Sequence, residues 1–203
     1  MFSPDLKQFL SLASDHDAVP VSRRLLSDSL TPVSAFKRID DGGTACLFES
    51  VVGGENVGRF SFLAIDPQLE LSSFANKVTE TDTGTGQSRS FESENPLEEI
   101  RKRTAKIKVA SLEGMPPFTG GAVGYAGYDA VRYVENLPNA PEDDRGLADM
   151  SFAFYDRMLV FDHITKTITI IALAWPKNFD TPCLLYTSPS PRDLSTSRMP
   201  SSA

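Results

Sequence analysis

The residues able to do chemistry in this chain are few and scattered. Its 203 residues hold two histidines, His16 and His163, and two cysteines, Cys46 and Cys183. Serine hydrolysis needs a nucleophile held against a histidine. His16 falls in a polar loop and His163 where a strand gives way to a turn, a setting in which a structural imidazole is the expected role. The cysteines lie far apart and match no metal or redox spacing. No G-x-S-x-G, P-loop, H-E-x-x-H or EF-hand pattern occurs.

One carboxylate stands out. Glu49 lies in TACLFESV (44–51), among Cys46, Leu47, Phe48 and Val51. Strand alternation can place it on the solvent face. Pointing inward, it would have to meet a cation, because a buried carboxylate without a partner is costly. Arg59, which opens the next strand, is one such cation, and the ammonium group of an amino-acid ligand is another.

The second unusual segment is GGAVGYAG, with glycines at 120, 121, 124 and 127. It does not fit a dinucleotide loop, which needs G-x-G-x-x-G after a parallel strand, with a helix beginning inside the glycines. Glycines within a strand-like run imply that another backbone or a ligand approaches closely. Tyr125, Tyr128, Asp129 and Arg132 are expected to act in structure or at an interface, with Arg132 and Glu135 spaced for a helical pair.

Elements able to position these groups follow from the pattern. Residues 4–14 read as a helix with Ser3 as cap and Pro4 in its first turn. A strand is expected over 19–26, and a helix over 31–39 with Thr31 capping and Pro32 at its first position. Strands at 44–51, 58–65, 69–75, 77–83 and 88–92 read as one antiparallel meander. A helix begins at Asn95 and Pro96 and runs to about 106; its acids Glu98 and Glu99 precede Arg101, Lys102 and Arg103, as on a solvated helix. A strand over 118–125 and a short helix over 129–135 come next, and 151–175 supplies three β-rich stretches with a turn at 162–166. The fold class is α+β, a largely antiparallel β-sheet with flanking helices.

Composition bounds the partners. Hydrophobic residues are 40% and charged residues 23% of the chain, with a net charge of −7 and a pI of about 4.9. Nucleic-acid binders carry a basic patch or stripe, and none is present here. No run of 18 apolar residues and no apolar signal core at residues 1–12 occur, so no membrane span is expected and a cytoplasmic location is the simplest account. Residues 181–203, rich in Ser, Pro, Thr and Arg, read as a disordered tail or as sequencing-adapter read-through joined to the reading frame.

Several of these segments also carry a resemblance. LFES (47–50) with GRFSFLAIDP (58–67) resembles the L-L-E-S and R-[YF]-S-[FI] pair of the anthranilate synthase component I family. GGAVGYAGYDAVRYVENLP (120–138) is similar to that family's G-G-x-V-G-Y-x-x-Y-D-x-x-R-x-x-E signature. VPVSRRLLSDSLTPVSAFKRI (19–39) resembles its opening, and DRMLVFDHITKTI (156–168) the stretch that follows its signature. The match spans roughly residues 4–175.

The resemblance implies the amino-terminal part of that family's two-layer fold, with residues 1–180 as a truncated regulatory domain. It implies a lyase that converts chorismate to anthranilate and pyruvate, takes ammonia from glutamine through a glutaminase partner (component II), and uses Mg2+. It further implies feedback inhibition by L-tryptophan, at a site mapping onto Phe48, Glu49, Ser50 and Arg59. Phe48 stands where the family has leucine. The family's chorismate- and magnesium-binding residues belong to its carboxy-terminal half, so no catalytic residue is assigned and this chain alone is expected to be inactive. A fragment of the related aminodeoxychorismate synthase of folate synthesis, a stand-alone amino-acid-binding regulatory module, and a scaffold that only docks a glutaminase are the alternatives.

Overall fold

The computed structural model describes residues 2–27, 29–50, 58–139 and 142–178. The order is β1 (Phe2–Ser3), α1 (Leu6–Ala13), β2 (Val19–Leu26), α2 (Pro32–Ile39), β3 (Ala45–Phe48), β4 (Phe60–Ile65) and β5 (Leu69–Phe74). Then come β6 (Lys77–Asp82), β7 (Ser88–Glu92), α3 (Pro96–Thr104), β8 (Gly121–Ala126), a 3-10 helix (Tyr128–Tyr133), β9 (Met150–Tyr155), β10 (Arg157–Asp162) and β11 (Thr167–Ala174). The expected tail, 181–203, and Val51 at the end of the expected 44–51 strand lie outside the described residues.

Local chemistry sets the helix starts. Thr31 and Ser34 form a reciprocal capping box ahead of Pro32, and Asn95 accepts the Leu97 N–H at 3.1 Å ahead of Pro96. The first helix differs from expectation: Ser3 is part of β1, and Asp5 is the cap, accepting the Gln8 N–H at 2.8 Å. A carboxylate there satisfies an orphan donor and faces the positive end of the helix dipole, which Ser3, held in strand pairing, cannot do.

All named strand pairs are antiparallel, in two sheets ordered β1-β2-β11-β10-β4-β3 and β7-β6-β5-β9-β8. The single meander expected over 44–92 is therefore divided. The chain leaves the first sheet after β4 at Asp66, whose φ is +51°, and by Gln68 its N–H already donates to Phe154 of β9. The chain makes the reverse crossing between β9 and β10 at Asp156. The two corners are tied together, since the Gln68 amide donates to the Asp156 carboxylate.

The six-stranded sheet buries both faces. One packs against α2 through Ala35, Leu63, Phe161 and Ile168, with Phe36 and Leu47 beside them. The other meets the second sheet through Ala64, Met158, Val160 and Ile171 against Ala153, Tyr155 and Val123. The helix α3 closes the far face of the second sheet on Leu71, Val78 and Met150. It is less solvated than its sequence implies: Arg103 turns inward, only 20% exposed, bonded to Glu80 of β6 and, at 3.0 Å, to Glu99.

The glycine-rich strand shows what its glycines are for. A Cβ on Gly124 would lie 2.0 Å from the Ser151 carbonyl oxygen and 2.6 Å from the Phe152 Cα of β9. The close neighbour is thus protein backbone. After β8 the chain forms a 3-10 turn, in which Arg132 bonds Asp129 at 2.8 Å and the Leu137 carbonyl at 2.7 Å. The expected Arg132–Glu135 pair gives way to this arrangement because i,i+3 partners stack in a 3-10 helix, and Asp129 lies inside this one (Tyr128–Tyr133) whereas Glu135 lies beyond its end.

Candidate functional site

The LFES and RFSF segments are neighbours in the first sheet. Phe48 sits opposite Phe62 and Leu47 opposite Leu63, so residues 49 and 50 emerge beside the start of β4. There the Ser50 N–H donates to Ser61 Oγ at 3.1 Å. Ser61 is 0% exposed. Its Oγ lies 2.7 Å from His163 Nε2, and the His163 backbone N–H donates to the Arg59 carbonyl at 2.8 Å.

The same corner holds an ion pair. Arg59 donates through Nε and Nη2 to Asp162 Oδ2 at 3.2 and 2.7 Å, and lies 4.8 Å over the Phe60 ring. Asp162 Oδ1 accepts the backbone N–H groups of Ile164 and Thr165 at 3.0 and 3.1 Å, which closes the turn into β11. Burial alone would raise the Asp162 pKa, but Arg59, the two backbone donors and the Thr165 hydroxyl outweigh it and bring it down to about 2.

The four candidate residues are brought to one corner but not into mutual contact. Phe48 is 56% exposed, Glu49 is exposed, and Ser50 is half-buried. Glu49 makes no hydrogen bond or ion pair to any described residue, so of its two open orientations the structure gives the outward one. Arg59 is engaged by Asp162 instead, because Asp162 is 12% exposed and fixed by its turn, whereas Glu49 stands beyond the end of β3. Arg59 reaches Ser50 only through its backbone, by way of His163 and Ser61.

Those last two residues had no assigned binding role in the sequence reading. Both were visible: Ser61 is the serine of GRFSF, and His163 follows the aspartate of VFDH. The missing signal was their separation of 102 residues, which only pairing of β4 with β10 removes. The glycine-rich segment stands apart, on the edge strand of the other sheet.

Two clefts border these elements. One, of about 500 Å3, is lined by Arg24, Arg59, Phe60, Asp162, Thr167 and Thr169 among others. A second, of about 400 Å3, lies between Gly120, Gly121, Phe154, Leu173 and Trp175. Burial raises the Cys46 thiol pKa, so at neutral pH it is not a thiolate nucleophile. As to the magnesium that the resemblance implies, no three His, Cys, Asp or Glu side chains stand together among the described residues. These described residues do not fit the ion.

The antiparallel two-sheet fold and its paired motifs define a class. The chain matches the family of chorismate binding enzymes over residues 44–185, and it belongs to that family. It is 43% identical over 171 residues to anthranilate synthase component 1 of Acetivibrio thermocellus, covering 84% of this chain and 34% of that protein. Anthranilate synthase alpha subunit 2, chloroplastic, of Arabidopsis thaliana is 37% identical over 176 residues, covering 81% and 28%. The crystal structure of anthranilate synthase component I from Streptococcus pneumoniae TIGR4 superimposes with a TM-score of 0.51 at 26% identity, covering 88% of this chain and 37% of that one. The chain thus spans about a third of the length of these relatives. No helix among the described residues is long and apolar enough to cross a membrane.

Proposed function

We propose that this chain is the amino-terminal, regulatory part of an anthranilate synthase large subunit, carrying an L-tryptophan feedback site. The observation that carries the reading is the 43% identity over 171 residues to a component 1 of which the chain spans 34%. The whole enzyme is a lyase of tryptophan biosynthesis that forms anthranilate and pyruvate from chorismate. It takes ammonia from glutamine through a glutaminase partner, uses Mg2+ held outside these residues, and works in the cytoplasm. The present chain supplies no catalytic group.

A zwitterionic amino acid needs an acceptor for its ammonium, donors for its carboxylate and an apolar surface for its side chain. Glu49 supplies the first without having to surrender a partner among the described residues. Ser50 supplies a hydroxyl. Arg59 offers Nη1, its Nε and Nη2 being committed to Asp162. Phe48, exposed on the strand end, gives an aromatic face for an indole.

The test is a chimera in which residues 1–175 replace the matching part of the Acetivibrio thermocellus protein, assayed with chorismate, glutamine and the glutaminase subunit. Anthranilate formation that L-tryptophan inhibits is the expected result, with Glu49→Ala abolishing the inhibition and keeping the turnover. A folded chimera that makes no anthranilate overturns the enzymatic reading. One that makes anthranilate but ignores tryptophan overturns the regulatory one.

A further inference from the structure

The buried hydroxyl of Ser61 constrains the protonation of its neighbours. Its oxygen accepts the Ser50 N–H, so its own proton must be donated elsewhere. Ser61 is fully buried, and the only other partner within reach among the described residues is His163 Nε2. A buried donor without an acceptor is costly. The arrangement that satisfies every group is a one-way chain: Ser50 N–H to Ser61 Oγ, and Ser61 O–H to an unprotonated His163 Nε2, with the neutral imidazole carrying its proton on Nδ1.

A second proton on His163 breaks that chain. Nε2 becomes a donor, Ser61 Oγ then faces two N–H groups, and its own hydroxyl proton has no acceptor among the described residues. The oxygen can accept both through its two lone pairs, but the orphaned proton in this buried place is relieved only when one of the two contacts opens and admits an acceptor. Of the two, Ser50 is the more easily released, because it lies two residues beyond the end of β3 while Ser61 lies inside β4 and His163 is pinned to the Arg59 carbonyl.

We propose that Ser61 and His163 are positioning residues for the Glu49–Ser50 segment, and that neutral His163 holds this segment while charged His163 releases it. The consequence for ligand affinity rests on the reading of Glu49 and Ser50 as an amino-acid site. The proposal makes that site weaken when His163 takes up its second proton. The charged groups on the elements meeting at this corner are Asp162 and Lys166 of the same turn, Arg59 before β4, Glu49 after β3, and Lys37 and Arg38 in the last turn of α2, which packs on β3 and β4. Asp162 and Arg59 neutralise one another at 2.7 Å, and Asp162 stays ionised far below the histidine range, so that pair does not mimic the switch.

The experiment follows the Ser50 amide and the His163 imidazole of the full chain by NMR from pH 8 to pH 5, with L-tryptophan titrated at both ends. In the wild type the Ser50 amide is expected to shift in step with the imidazole, and tryptophan affinity to drop about tenfold when His163 is charged, the equivalent of one lost buried hydrogen bond. His163→Gln, which keeps an acceptor without the titration, is expected to bind at both ends with one affinity and a static Ser50 signal. Ser61→Ala is expected to uncouple Ser50 from a still-titrating imidazole. A Ser50 amide indifferent to His163, or one that still follows it in Ser61→Ala, overturns the proposal. A Ser50 amide that responds as described while tryptophan fails to bind upholds the positioning chain and overturns the assigned ligand instead.

Discussion

Two segments of this molecule carry its most recognisable sequence, and they use it in opposite ways. The corner built from LFES, GRFSF and VFDH interlocks polar groups from three places in the chain: Ser50, Ser61 and His163 in one series, Arg59 and Asp162 in another. The GGAVGY strand and the 3-10 turn after it lie on a sheet edge, where Tyr125 is 49%, Val134 67% and Tyr128 94% exposed. A distinctive motif therefore does not by itself mark a binding centre. At the corner the motif residues make hydrogen bonds that leave Glu49 available. On the edge the motif residues serve the backbone, and Gly124 is required because β9 leaves no room for a Cβ.

That contrast is sharpened most by Gly124→Ala. The added carbon collides with backbone atoms, which have no rotamer to move into, so a loss of at least about 3 kcal/mol in denaturant unfolding is expected, at the upper end for overpacking. A loss below about 1 kcal/mol would show that the strand yields and that its glycine serves something other than close packing.

Ser61→Ala comes next. It removes the acceptor of the Ser50 N–H and the partner of His163 in a fully buried place, for an expected loss of about 1–2 kcal/mol by the same measurement. An equal or larger loss than that of Gly124→Ala would reverse the order of the two regions.

Asp162→Asn is expected to cost less than about 1 kcal/mol near neutral pH, since Arg59 is partly solvated. Its signature lies in acid. The wild-type pKa of about 2 is below the ordinary 3.8, so the carboxylate's contribution is complete above the higher value and is lost as pH falls toward the lower. Unfolding midpoints measured from pH 5 to pH 2 are expected to converge for wild type and variant. Midpoints that stay parallel would mean that the pair adds nothing specific to the folded state.

Tyr128→Ser should do least. At 94% exposure its removal is expected to stay within about 0.5 kcal/mol in thermal unfolding. A larger change would place Tyr128 in contacts beyond the described residues.

The sequence alone determined the parts that depend on neighbours along the chain. Helices α2 and α3 begin where Thr31-Pro32 and Asn95-Pro96 supply a cap and a preset φ, and β5, β6 and β7 follow alternation broken by turn residues. The LFES and GGAVGY segments, and with them the family, were legible for the same reason: each is a contiguous string. Tertiary structure decided what lies between strings. Alternation could not say that β4 and β5 belong to different sheets, because a positive φ at Asp66 redirects the chain without altering the pattern. Nor could it choose Asp162 over Glu49 as the partner of Arg59, or set His163 against Ser61. Those choices rest on contacts about a hundred residues apart, which exist only once β10 pairs with β4.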